Sequence, residues 1–116
     1  MRVKTGYTRR RRHKKVLNRT KGFRMTKGRL YKVSKEADLH AGSYAFHGRK
    51  LKKRDFRRLW IQRIKAGLEA IPEAPKYSRF INLLKVNQIE LDRKILSDLV
   101  VNHPDAFKAV VAKVNH

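Results

Sequence analysis

Arg49-Lys50-Leu51-Lys52-Lys53-Arg54-Asp55-Phe56-Arg57-Arg58 places seven cations in ten residues and runs directly into Leu59-Trp60-Ile61. No proline follows until Pro72. At about 3.6 residues per turn, the cations cover most of a helix circumference. Trp60, Ile61, Ile64, Leu68 and Ile71 then fall on one side of the same helix and are expected to complete a core. One helix therefore begins among charges and ends in an apolar seam. This predicts an all-α protein: a small helical C-terminal domain carrying a long basic helical N-terminal extension. The boundary is expected inside the helix, with residues 1–55 as the extension and residues 56–116 as the head.

Working toward the N-terminus, Leu30, Val33, Ala37 and Ala41 keep a three-to-four spacing, with Thr26 as the expected cap. A helix over residues 26–71 would be about 69 Å long at about 1.5 Å per residue. A kink between Gly42 and Gly48 is the alternative. Thr8 is the expected cap of a first helix over residues 9–20, stopped by Gly22. Arg9, Arg10, Arg11 and Arg12 point nearly all ways around that helix and leave it no wide dry face.

Toward the C-terminus, Pro72-Glu73-Ala74-Pro75 ends the long helix. A short helix capped by Ser78 carries Phe80, Ile81 and Leu84, and Asn87-Gln88 breaks it. Asp92 caps the next, which presents Ile95, Leu96, Leu99 and Val100. Asn102-His103-Pro104-Asp105 is a further start signal, with proline and an acid in the first turn. The last helix presents Phe107, Val110, Val111 and Val114. Trp60, Ile64, Leu68, Phe80, Leu96, Leu99, Phe107 and Val110 are expected to share one core.

Charge separates the two parts. The chain of 116 residues has 31 Lys and Arg against 9 Asp and Glu, a net charge of +22. Of these, 24 cations and 3 acids lie in residues 1–65, and the first acid is Glu36. Such a segment repels itself unless phosphate, salt or solvent surrounds it. It is expected to be mobile alone and ordered by polyanion. There are no cysteines, which excludes disulfides, thiolate nucleophiles and cysteine zinc sites. His13, His40, His47, His103 and His116 follow no zinc spacing, so no metal, cofactor or catalytic group is expected, and the chain is not read as an enzyme. No apolar run approaches membrane-spanning length, and Met1-Arg2-Val3-Lys4 has no signal-peptide core; no membrane partner is expected.

Cations around a whole circumference suit a helix threaded between RNA segments better than a helix presenting one face to a DNA groove. Arginine forks match phosphate oxygens, while Tyr7, Phe23, Tyr31, Tyr44 and Phe46 offer faces for stacking or for helix packing. A DNA-architectural protein is the competing reading from charge alone.

The chain also resembles a known family, the bacterial-type large-subunit ribosomal protein number twenty. The likeness lies in Arg2-Val3-Lys4, His13-Lys14-Lys15-Val16-Leu17, Lys21-Gly22-Phe23, Ala41-Gly42 and Tyr44-Ala45-Phe46. It continues in Phe56-Arg57-Arg58-Leu59-Trp60-Ile61, Tyr77-Ser78-Arg79-Phe80-Ile81 and Leu91-Asp92-Arg93-Lys94-Ile95-Leu96. Leu83 departs from it, standing where the family often has a small residue. The resemblance implies a structural constituent of the large ribosomal subunit. It implies partners in large-subunit ribosomal RNA and neighbouring large-subunit proteins, and a part in early subunit assembly. Some members also bind their own messenger RNA and repress its translation. The implied location is a bacterial cytoplasmic ribosome or an organellar one. Residues around Arg12, His13, Lys14 and Lys15 and along Lys53, Arg54, Arg57 and Arg58 carry over as RNA contacts. Together with the basic run, the candidate RNA-binding residues are Arg2, Lys4, Arg9, Arg10, Arg11, Arg12, His13, Lys14, Lys15, Arg19, Lys21, Arg24, Arg29, Arg49, Lys50, Lys52, Lys53, Arg54, Arg57 and Arg58.

Overall fold

The computed structural model describes residues 1–115; the terminal His116 lies outside them. Five α-helices run in order, α1 (Gly6–Arg19), α2 (Tyr31–Glu69), α3 (Tyr77–Val86), α4 (Arg93–Asn102) and α5 (Pro104–Asn115), with a 3₁₀ turn at Met25–Gly28. No strand occurs among the described residues, so the chain is all-α. Contacts divide it into two compact units, Met1–Lys50 and Leu51–His116, and α2 contributes to both. Helical hydrogen bonding in α2 is uninterrupted through Gly42 and Gly48.

In the first unit, α1 begins earlier than its expected cap. Thr5 is the cap position, and the Thr8 hydroxyl donates to the Thr5 carbonyl at 2.9 Å instead of capping an N–H. No residue of α1 is buried, as four consecutive arginines require. The helix ends at Thr20, which is fully buried and donates its backbone N–H to Val16 O at 3.1 Å. Phe23 N then reaches back to Thr20 O at 3.0 Å across Gly22, whose φ of +86° suits the third position of a type II turn. The expected Thr26 cap is also corrected. The Thr26 carbonyl accepts from Arg29 N and Leu30 N, so a 3₁₀ turn precedes α2. The buried Ser34 hydroxyl, set between the carbonyls of Lys27 and Leu30, ties the start of α2 to that turn.

The second unit is built on the apolar seam of α2. Ile64 and Leu68 join Phe80 and Leu84 of α3, Leu96 of α4, and Phe107, Val111 and Val114 of α5 in one buried cluster. Burial of these aliphatic and aromatic groups is the main drive for the fold, at about 1.5–3 kcal/mol for each large side chain. Phe80 and Phe107 meet edge to face at 6.0 Å, and α5 packs against both α3 and α4. Leu83, Leu99 and Val110 are half-buried against the cluster. Trp60 is not part of it: the indole is only half-buried, one turn before Ile64, and the core expectation is corrected there.

Local chemistry explains the boundaries. The Asp92 carboxylate accepts from Ile95 N at 2.7 Å and caps α4 as expected. His103 closes α4 and its carbonyl accepts from Phe107 N at 3.1 Å, opening α5 behind Pro104. For α3 the cap is Lys76, not Ser78. Its far end is a Schellman motif: Ile89 N donates to Leu84 O and Gln88 N to Lys85 O, with Gln88 left-handed at φ 56°.

Gly67 sits where the backbone of α2 meets its neighbours. A Cβ there would lie 2.8 and 2.9 Å from the Val100 methyls and 3.2 Å from a Phe107 ring carbon. Helix propensity favours alanine over glycine by about 1 kcal/mol, whereas overpacking costs about 1–3 kcal/mol. Gly67→Ala is therefore expected to lower the stability of this unit by about 1 kcal/mol. A urea midpoint that rises instead would show that Val100 gives way.

Candidate nucleic-acid interface

Residues 42–59 of α2 are all exposed. This stretch holds Arg49, Lys50, Lys52, Lys53, Arg54, Arg57 and Arg58 together with Tyr44, Phe46 and Phe56, which are 72%, 57% and 44% exposed. Exposed rings interleaved with cations are costly as a bare surface, because apolar faces remain in water beside like charges. The rings do not collect into a protein core. Instead Lys50 Nζ lies 4.3 Å from the Phe46 ring centre and Lys52 Nζ 5.8 Å from that of Phe56. Asp55, the one acid here, reaches Arg58 at 4.0 Å in an exposed pair that neutralises little.

In the first unit, Arg2, Lys4, Arg9, Arg10, Arg11, Arg12, Lys14, Lys15, Lys21, Arg24 and Arg29 are exposed. Tyr7, Arg11, Arg12 and Lys15 line one shallow depression along α1. His13 and Arg19 are engaged within the protein. The His13 ring stacks on Tyr31 at 3.5 Å between centres, 18° from parallel. Arg19 pairs with Asp38 at 2.7 Å. These contacts hold the last turns of α1 against the start of α2, so His13 and Arg19 shape the basic surface as much as they present charge. Arg49 and Lys53 also take part in interactions within the protein.

In the second unit, a cleft of about 730 Å³ lies between Phe56, Arg57 and Trp60 of α2 and Asp92, Arg93 and Lys94 at the start of α4. Arg93 Nε donates to the Tyr77 hydroxyl oxygen at 2.9 Å, which steadies the guanidinium at the cleft edge. Arg93 and Lys94 were not among the sequence candidates, because residues 66–116 are nearly balanced in charge. The Asp92 cap was legible, but its proximity to Trp60 was not. Among the described residues no group of three or more His, Cys, Asp or Glu is placed to hold a metal ion, and no helix is long and apolar enough to cross a membrane.

The geometry is that of a cationic surface studded with aromatic rings. Comparison with known proteins gives it a context. The family model described as Ribosomal protein L20 matches residues 2–110. The chain is 50% identical over 112 residues to the large ribosomal subunit protein bL20 of Marinobacter nauticus, covering 97% of this chain and 94% of that one. It is 52% identical over 112 residues to the bL20 of Francisella tularensis subsp. holarctica, covering 97% and 93%. It is 50% identical over 113 residues to the bL20 of Ralstonia pickettii, covering 97% and 94%.

Proposed function

The chain belongs to the L20 family of large-subunit ribosomal proteins, structural proteins rather than enzymes, and from that premise we propose that it binds large-subunit ribosomal RNA and supports assembly of the subunit. The observation that carries this reading is the exposed stretch 42–59, which carries seven Lys and Arg and three aromatic rings on one helix. Phosphate neutralises such a surface, and release of condensed counterions makes the contact favourable at low salt. The exposed cations of residues 1–29 extend it. On this reading residues 1–55 penetrate folded RNA, residues 56–116 form a head whose core fixes the end of α2, and the ribosome concerned is that of a bacterial cytoplasm.

Arg57 gives the reading its sharpest point. No buried acidic partner is expected for it, and it stands about two turns before Ile64, where α2 enters the core. Its guanidinium is assigned to phosphate, which positions without reading sequence. Arg57→Gln is expected to leave the unfolding midpoint unchanged and to weaken binding to native and base-substituted ribosomal RNA fragments by similar factors. The slope of log affinity against log salt should fall by about 1. Loss of preference for the native fragment with the slope intact would make Arg57 a base reader and overturn the assignment. Stoichiometric co-purification with large subunits through a high-salt wash tests the wider reading.

A further inference from the structure

Trp60 is the chain's single tryptophan, and the core leaves it out. Its ring lies 6.2 Å from that of Phe56, tilted by 35°, on the edge of the cleft between α2 and the start of α4. A second depression shares Trp60, Asp92 and Lys94 with it and is lined further along by Arg63, Ser97 and Asp98. Arg54, Arg57, Arg93 and Lys94 supply cations along the cleft between α2 and α4, against one carboxylate, Asp92, already accepting from Ile95 N at 2.7 Å. Ser97 is 1% exposed, and its hydroxyl has no hydrogen-bond partner among the described residues. An orphaned buried hydroxyl in a native fold calls for a partner.

We propose that this cleft takes one unstacked nucleotide of the RNA, its base lying against Trp60 and its phosphate on Arg57 and Lys94. The proposal rests on the reading that the partner is ribosomal RNA, and adds a base-holding pocket to a surface otherwise assigned to phosphate. The chemistry favours that occupant. A half-exposed indole offers a flat π face, which any nucleobase can stack upon, and the flanking cations match the charge of the attached phosphate. The volume of about 730 Å³ falls within the range of small-molecule sites. Ser97 lies behind the surface of the second depression with its hydroxyl buried and unpaired, so it meets the base edge only if the start of α4 gives way slightly as the nucleotide enters.

The single tryptophan makes the test direct. With the full chain and a transcript of large-subunit ribosomal RNA, Trp60 emission is expected to be quenched, and shielded from acrylamide, as binding saturates. Trp60→Leu is expected to weaken binding roughly 5- to 150-fold with an unchanged salt slope, the range for loss of one stacked base. Trp60→Phe should retain most of the affinity. Unfolding midpoints check both variants, and the wild-type fluorescence decides the matter even if the leucine variant folds poorly. Tight, salt-dependent binding with Trp60 emission and acrylamide access unchanged overturns the pocket and leaves the phosphate reading standing. Shielding that appears only in the assembled subunit, and not with RNA alone, assigns the cleft to a protein neighbour and overturns it too. Failure to bind the transcript at low salt defeats both readings together.

Discussion

Phe80→Ala is expected to cost the second unit about 3–5 kcal/mol of unfolding free energy. Phe80 is fully buried, and its ring meets Phe107 edge on at 6.0 Å. It is the aromatic contribution of α3 to a cluster whose other members come from α2, α4 and α5. Truncation removes the transfer energy of the ring and leaves a void that short helices joined by tight turns close poorly. A unit of this size has roughly 5–15 kcal/mol of stability in all, so the loss is a large share of the total and the urea midpoint should fall steeply. Phe80→Leu keeps most of the volume and should cost less than about 1.5 kcal/mol. Urea unfolding of both variants measures the difference; a loss under about 1 kcal/mol for alanine would remove Phe80 from the centre of the core.

Where a structural feature depended on a residue and its immediate neighbours, the sequence was a sufficient guide. Pro72 and Pro75 bar helix continuation, and α2 ends at Glu69. Asp92 carries a short acceptor at a helix start, and it caps α4. Pro104 and Asp105 open α5. Threonine was less reliable because its hydroxyl bonds carbonyls as readily as N–H groups: Thr8 donates to Thr5 O, and Thr20 to Val16 O and Leu17 O. Asn87-Gln88 marks a break in the sequence, while the left-handed conformation of Gln88 follows from the Schellman bonds around it.

Features made by two elements were not legible. Trp60 has the same helical phase as Ile64 and Leu68, so periodicity alone puts all three in the core. Only the packing of α3, α4 and α5 decides that burial begins at Ile64. Gly67 looks like a weak point in a helix until Val100 and Phe107 are placed against it. The basic candidates rest on the charge pattern together with the family resemblance, and that pattern marks exposed charge well. It marks partnership poorly, and the stacking of His13 on Tyr31 and the pairing of Arg19 with Asp38 bring together residues 18 and 19 positions apart.

The largest expected effect on binding comes from deleting residues 2–25. That segment holds 11 Lys and Arg and no acid, half of the net charge of +22. Every residue of the buried core cluster lies between Ile64 and Val114, so the unfolding midpoint of the second unit should not move. Affinity for large-subunit ribosomal RNA should collapse, and its salt dependence should flatten. If about six of the eleven cations contact phosphate, the slope of log affinity against log salt becomes shallower by about 4–5. The same loss amounts to several orders of magnitude in affinity at low salt and far less at high salt, because the counterions released by those contacts are what salt opposes. Asp38 and Tyr31 would lose their partners Arg19 and His13, so the start of α2 should fray, visible as faster amide exchange over residues 31–38. Restoring the charge with a segment of the same composition in scrambled order separates the two contributions. Recovery of the slope without protection of residues 31–38 assigns the affinity to charge alone, whereas recovery of neither assigns it to the fold of α1. An unchanged slope after the deletion would mean that these eleven cations touch no phosphate, and the RNA-penetrating role of the extension would fail at its N-terminal half.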